Sequence, residues 1–100
     1  MISLGEIRKD LKEIRYYYSR KEMFDKAFKE VASNVIYEKV CKYNEAVKYA
    51  PPQLFDLYIS LYVKGMTQEV FAYEFCYTPE HIQRLNKKLL FFLQSKLVGG

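Results

Sequence analysis

The chain has 100 residues with a net charge of +4, and half of its residues are hydrophobic, which suffices for one domain with a buried core. Glycine and proline are scarce, and between Glu6 and Lys64 the only breakers are Pro51 and Pro52. These features argue against disorder and against a turn-rich sheet, and we expect an all-α fold, a compact bundle of about five helices.

The first thirty residues show helical periodicity. Apolar residues recur every three or four positions at Leu4, Ile7, Leu11, Ile14 and Tyr18, and the pattern continues at Met23, Phe24, Ala27, Phe28 and Val31. A break at Ser19 or Arg20 would divide residues 2–31 into two helices, and the pattern leaves one helix or two open. Ser33 and Asn34 then predict a stop and a restart, with Asn34 as the N-cap. The next helix carries an apolar stripe of Ile36, Val40, Tyr43 and Val47.

Three consecutive tyrosines, Tyr16 to Tyr18, cannot all face one core, because neighbours on a helix point 100° apart. At least one is therefore exposed or lies in an interface. Two interpretations stay open: ordinary amphipathic tyrosines with wet hydroxyls, or a surface for a dimer or another partner.

The Pro51–Pro52 pair separates two regions. The residue before a proline is disfavoured in a helix, whereas Pro52 suits the first turn of the next one. We expect a single structural domain with an N-terminal helical region for packing and oligomerisation at 1–49 and a second helical region at 50–100. The helix after Pro52 buries Leu54, Leu57, Tyr58, Leu61 and Tyr62, and Gly65 is placed to cap it in the left-handed conformation.

Residues 67–97 predict a short helix, a tight turn and a longer helix, the arrangement of a helix-turn-helix. Thr67 suits the N-cap of the first helix, and small Ala72 permits a close helix crossing. Cys76 and Tyr77 form the turn, Thr78 caps the second helix and Pro79 takes its first position. The core-facing stripe of that helix is Ile82, Leu85, Leu89, Leu90, Leu93 and Leu97.

The excess of positive charge lies on this last helix. Residues 81–100 carry Arg84, Lys87, Lys88 and Lys96 and no acid, whereas basic and acidic residues balance in the rest of the chain. A cationic helix suits a polyanion, although cations also suit the C-terminal end of any helix dipole. In a helix-turn-helix, the start of the second helix reaches base edges. The expected DNA-binding residues are Thr67, Thr78, Glu80, His81, Gln83, Arg84, Lys87 and Lys88.

Each of these side chains has an expected role. His81, Gln83 and Arg84 offer hydrogen bonds to base edges, where Arg prefers guanine and Gln prefers adenine. Lys87 and Lys88, one turn further, suit phosphates. Glu80 suits a helix N-terminus but would repel a nearby phosphate. It could instead accept a hydrogen bond from cytosine.

From Ala50 onward the chain resembles region 4 of bacterial sigma factors. The matching residues are Pro51-Pro52, Gly65-Met66-Thr67, Glu69, Phe71-Ala72 and Thr78 to Ile82. At this length it is similar to small phage-encoded regulators with a sigma-region-4-like domain, of the ArpU and RinA kind. The resemblance implies an activator of late or packaging genes. One departure is Cys76, which occupies the turn position where that family usually has glycine and which is strained if its φ is positive.

The sequence offers little for other classes of function. It has no phosphate-binding loop or nucleophile motif, and Glu69 and Glu74 fall on ordinary helix faces, so we expect neither an enzyme nor a cofactor. Cys41, Cys76 and His81 lack the spacing of a metal site. We expect both cysteines to be free, partly buried thiols in a reducing compartment, and the resemblance to phage regulators implies the cytoplasm of a bacterial host cell. No segment predicts a membrane span or a targeting signal.

The sequence thus predicts a transcriptional regulator that binds double-stranded DNA through a recognition helix at about 79–97, with a homodimer as the expected form. The resemblance implies that it is encoded by a phage or prophage. The alternative is a protein-interaction module that contacts RNA polymerase or another regulator without binding DNA on its own.

Overall fold

The structure, a computed structural model, describes residues 2–21 and 32–98. In this part of the chain it has five α-helices and no strand, so the all-α expectation is confirmed. The helices are α1 (Leu4–Ser19), α2 (Ala32–Val47), α3 (Pro52–Tyr58), α4 (Gln68–Glu74) and α5 (Pro79–Val98), and a π-helical turn, Ile59–Val63, extends α3.

Helix α1 begins at a side-chain cap and ends where the sequence indicated a break. Ser3 Oγ accepts a hydrogen bond from the Glu6 backbone N–H at 3.1 Å, and the helix ends at Ser19. Residues 2–31 are therefore not one continuous helix, and the predicted stripe from Met23 to Val31 lies outside the described residues.

The consecutive tyrosines divide between core and solvent, as the 100° spacing requires. The buried stripe of α1 is Ile7, Leu11, Ile14 and Tyr17, with the predicted Tyr18 only half-buried beside it. Tyr16 is exposed. Positions three and four after Ile14 lie on the same side of a helix, so periodicity alone does not distinguish Tyr17 from Tyr18.

Helix α2 contradicts the predicted cap at Asn34. The described chain is helical from Ala32, so Asn34 lies inside the helix. Asparagine is tolerated within a helix as well as at its start, and a single polar pair is a weak boundary signal. The stripe further along α2 is as expected, with Val40, Tyr43 and Val47 buried and Ile36 half-buried.

The helical segment that begins with α3 ends at the predicted glycine, Gly65, but its last turn is a π-helix. Pro51 is the N-cap of α3 and Pro52 its first residue. The last turn is π-helical, with the Lys64 N–H bonded to the Ile59 carbonyl at 2.8 Å. Gly65 then takes a φ of +75°, and the following N–H, that of Met66, reaches the Ser60 carbonyl at 2.9 Å. This left-handed cap is the role expected of Gly65.

One core joins the two halves of the chain. Ile7 and Leu11 of α1 pack in the same cluster as Leu57 of α3 and Leu89 of α5. The predicted stripe of α5 is buried in full: Ile82, Leu85, Leu89, Leu90, Leu93 and Leu97. Burying such side chains contributes about 1.5–3 kcal/mol each, before the entropic cost of ordering them. The core therefore fixes which face of α5 remains outside.

Polar groups at the helix contacts are satisfied. Asn44 of α2 donates to the Tyr18 hydroxyl at 3.0 Å and accepts from the Tyr58 hydroxyl at 2.7 Å, linking α1, α2 and α3. Within the described residues, no buried side-chain nitrogen or oxygen lacks a hydrogen-bond partner.

The cysteine prediction is correct in part. Cys41 and Cys76 are both free, but both are exposed rather than partly buried. Cys41 faces away from the stripe that α2 buries, and Cys76 occupies a turn, which is normally at the surface. None of the helices in the described ranges is long and apolar enough to cross a membrane.

Candidate nucleic-acid interface

Helices α4 and α5 are joined by the four residues 75–78, and both begin at threonine caps. Thr67 Oγ1 accepts from the Val70 backbone N–H at 3.1 Å, and Thr78 Oγ1 accepts from the His81 N–H at 3.2 Å. Pro79 takes the first helical position after Thr78. The predicted caps are confirmed, and each hydroxyl keeps its own proton to donate elsewhere.

Small and aromatic side chains hold α4 against the rest of the fold. Ala72 and Phe71 are buried in the common core. The chain then turns back, with the Tyr77 N–H bonded to the Ala72 carbonyl at 2.9 Å. Ala72 is buried, and its small side chain is compatible with a close approach of α4 to the core.

The turn contains a strained residue. Cys76 has a φ of +57°, the left-handed region that glycine adopts without penalty. A non-glycine residue there costs about 1–2 kcal/mol, so Cys76 carries the strain that its position in the sequence suggested.

The exposed face of α5 carries most of the predicted DNA-binding residues. Outside the core stripe, the exposed polar and charged side chains in the first half of the helix are Glu80, Gln83, Arg84, Lys87 and Lys88. No acidic group of the described residues forms an ion pair with Arg84, Lys87 or Lys88. Three cations thus lie on one exposed helix face with Glu80 and outnumber it, and none of them is held in an ion pair with a described acid, an arrangement that suits an anionic partner.

One predicted DNA-binding residue of α5, His81, and the remaining cation of the helix, Lys96, make contacts with the protein itself. His81 is half-buried, and its ring meets that of Tyr77 edge-on, with centroids 4.8 Å apart. Lys96 lies over the rings of Tyr49 and Phe92, each 5.7 Å away. Lys96 therefore lies over aromatic rings near the end of α5, apart from the cations Arg84, Lys87 and Lys88 in the first half of the helix.

A second cationic feature, absent from the sequence prediction, lies beside the α4–α5 pair. Arg8, Lys12 and Arg15 of α1 line a cavity of about 240 Å³, which we call the basic groove. Its other polar lining residues are Gln68 of α4 and Asn86 of α5, together with Tyr62; Leu61 and Met66 supply apolar surface. The spacing of the three cations, i, i+4 and i+7, already places them on one side of a helix. A count of total charge does not show this, because acidic residues of the same helix cancel them.

The pKa of Tyr62 reflects the burial and the positive charges of the groove. Burial raises the pKa of Tyr62 above its usual value near 10. The positive charges of Arg15 and Arg8 act in the opposite direction. The arginines are thus close enough to this hydroxyl to stabilise negative charge in the groove.

Helix α4 presents a different surface. Val70, Tyr73 and Phe75 are exposed, Tyr73 to 86%, and the acids Glu69 and Glu74 flank them. Next to Phe75 lies a cavity of about 280 Å³ that Phe71 and Tyr77 also line. An aromatic surface with carboxylates suits a protein partner better than a phosphate backbone.

Comparisons with known proteins return no relative. No protein-family model matches the chain, and neither does any curated protein or solved structure. Within the described residues, no group of three or more His, Cys, Asp or Glu side chains is arranged to hold a metal ion.

Proposed function

We propose that the protein is a transcriptional regulator that binds duplex DNA through the exposed face of α5, with α4 and α5 acting as a helix-turn-helix. The observation that carries the proposal is the set of unpaired cations Arg84, Lys87 and Lys88 on the first half of a capped helix. A polyanion lying along that face neutralises all three and releases the counter-ions it carried.

The two capped helices support this assignment. Residues near the start of the second helix of a helix-turn-helix reach the base edges of the major groove. Gln83 and Arg84 occupy that part of α5 and are exposed, so they are the candidates for base contacts. Lys87 and Lys88 follow at the distance of one turn and suit phosphates. The hydroxyls of Thr67 and Thr78 remain able to donate to phosphate oxygens.

The resemblance to sigma-region-4-like phage regulators extends the proposal to a phage or prophage protein acting in a bacterial cytoplasm, as a homodimer. A dimer would place two copies of α5 on half-sites about one helical turn of DNA apart. Light scattering with and without duplex DNA measures this state directly.

The test of DNA binding is a mobility-shift titration at 50 mM and 200 mM salt, followed by selection from random duplexes. We expect Lys87→Ala to reduce the slope of log K against log salt by about 0.9, and Arg84→Ala to change the selected sequence. Lys42→Ala, an exposed lysine on α2, is the matched control. Binding by Arg84→Ala and Lys87→Ala that equals wild type would exclude this face.

The second candidate is a protein-interaction module that contacts RNA polymerase or another regulator. The exposed Val70, Tyr73 and Phe75 on and after α4 favour it, since such side chains are common at protein interfaces. A chain that binds no duplex at 50 mM salt but captures polymerase supports this function. Tyr73→Ser should then abolish capture, whereas Tyr49→Ser, at another exposed tyrosine, should not.

A further inference from the structure

The side chains of α1 are segregated by charge. Arg8, Lys12 and Arg15 recur at helical spacing and occupy one flank of the helix, where all three line the basic groove. Asp10 and Glu13 lie on the opposite flank. Counting residues along the chain cancels these charges, whereas the folded helix separates them.

The two acids of this flank pair with α2, and neither of them lines the groove. Lys39 of α2 forms ion pairs with both Asp10 and Glu13, and the Tyr43 hydroxyl donates to Asp10 Oδ2 at 2.6 Å. None of the described residues that line the groove is acidic. The positive charge of the groove is therefore left without an internal counter-charge.

The polar groups of the groove are arranged as donors. The Tyr62 hydroxyl donates to Asn86 Oδ1 at 2.8 Å, which occupies the amide oxygen and leaves the Nδ2 protons to bond elsewhere. Arg15 Nη2 donates to the Gly65 carbonyl at 3.0 Å, which holds the guanidinium in place with most of its five N–H groups still available. Donors and positive charge together match phosphate oxygens, which only accept.

The position of the groove connects it to α5. Asn86 follows Gln83 by three residues and precedes Lys87, so all three lie on neighbouring positions of one side of α5. The cations of α1 extend from residue 8 to residue 15, about 10 Å along the helix. A row of this length fits several phosphates of a linear polyanion better than one isolated ion.

We propose that the basic groove binds the sugar-phosphate backbone of duplex DNA, so that α1 extends the DNA-binding surface beyond α5. This inference rests on the proposed function. DNA along the exposed face of α5 has one strand on the side that carries Gln83 and Lys87, and the groove receives phosphates of that strand. Arg8 and Lys12 supply positive charge to the groove. Arg15 and Asn86 supply hydrogen-bond donors that are held in place by their own hydrogen bonds.

The experiment compares the salt dependence of duplex binding in matched charge variants. Arg8→Gln/Lys12→Gln removes two groove cations, and Lys9→Gln/Lys42→Gln removes two exposed lysines that do not line it. We expect the groove variant to lose about 1.8 from the slope of log K against log salt, and roughly tenfold in affinity per contact at 0.1 M salt. The control variant, Lys9→Gln/Lys42→Gln, should retain most of the salt slope and most of the affinity.

A second variant tests the groove without altering α1. Asn86→Asp keeps the oxygen that accepts from Tyr62 but replaces the amide donor with a carboxylate, so we expect DNA affinity to fall at least as far as on loss of one cation. Circular dichroism verifies that both variants remain helical. Parallel titrations follow the side-chain amide NMR signals of Asn86 and Gln68 with duplex DNA and with tripolyphosphate.

The outcomes separate the two levels of the proposal. Wild type that binds no duplex at 50 mM salt overturns both the function and the groove. If Lys87→Ala weakens binding but the groove variants match their control, the groove proposal is wrong and the α5 proposal stands. Amide shifts with tripolyphosphate and none with DNA assign the groove to a small phosphorylated ligand and overturn the backbone assignment. Shifts with DNA, together with the loss of slope, support it.

Discussion

The hydroxyl of Tyr43 donates a 2.6 Å hydrogen bond to Oδ2 of Asp10 and so joins α2 to α1 across 33 positions of the chain. The other carboxylate oxygen, Oδ1, meets Lys39 Nζ at 3.1 Å. With both oxygens engaged on the α2 side, the acidic flank of α1 is directed away from the basic groove. This contact thus contributes to stability and to the separation of charge.

Removing the Tyr43 hydroxyl should destabilise the fold. The phenol ring is buried and its partner is a charged carboxylate, and such hydrogen bonds contribute about 1.5–3 kcal/mol. We expect Tyr43→Phe to lower the free energy of unfolding in urea by about 1.5 kcal/mol. Tyr49→Phe, at a tyrosine that is 69% exposed, should change it by less than about 0.5 kcal/mol. Equal losses in the two variants would show that the contact contributes little.

Stability should fall in alkali. Burial is the main cause that raises the pKa of Tyr43, Tyr58 and Tyr62 above the usual value near 10. Below pH 10 these phenols are protonated in both states, so stability is at its full value. Above pH 10 they ionise in the unfolded chain first, and each lowers the free energy of unfolding by about 1.4 kcal/mol per pH unit.

The measurement is urea unfolding between pH 8 and pH 11.5. Tyr58→Phe should reduce the alkaline slope by about 1.4 kcal/mol per pH unit, whatever its effect at neutral pH. The pKa of Lys39 is also raised, chiefly by its hydrogen bond to Glu13, and it contributes in the same direction at slightly higher pH. A flat profile up to pH 11 would contradict the burial of these hydroxyls.

Replacing the two cysteines by glycine should have opposite effects. Cys76→Gly relieves a φ of +57° and should stabilise the fold by about 1 kcal/mol. Cys41 lies within α2, where glycine costs backbone entropy, so Cys41→Gly should destabilise it by about 0.5 kcal/mol. Thermal unfolding of both variants supplies the comparison. A Cys76→Gly protein that melts below wild type would exclude strain at the turn.

Both thiols should react in the native protein. Cys41 and Cys76 are exposed, so a thiol reagent such as 5,5′-dithiobis(2-nitrobenzoate) should modify two groups per chain without denaturant. The single variants Cys41→Ser and Cys76→Ser assign each phase, and the same reaction in urea sets the unprotected rate. A native rate many times slower than the urea rate at either site would show that the cysteine is buried, contrary to the structure.

Much of the C-terminal half was predictable because its signals are local. Thr67 and Thr78 cap helices through groups three residues away, and the stripe from Ile82 to Leu97 needs only the period of a helix. Asn34 was predicted wrongly as a cap because a polar residue also occurs inside helices. The burial of both cysteines was also predicted wrongly, because residue type alone does not place a side chain on a buried face.

The sequence by itself determined the helical class, the caps of α4 and α5 and the cations on the exposed face of α5, since each depends on residues within a turn or two of one another. Only the tertiary structure decided which of these side chains contact other parts of the protein. It also decided that the cations of α1 lie beside α5. Lys96 lies over the ring of Tyr49, the His81 ring contacts that of Tyr77, and Arg15 donates to the carbonyl of Gly65, 50 positions away. The basic groove exists because packing turns one flank of α1 towards α5 and the other towards α2, and a one-dimensional count of charge contains no direction.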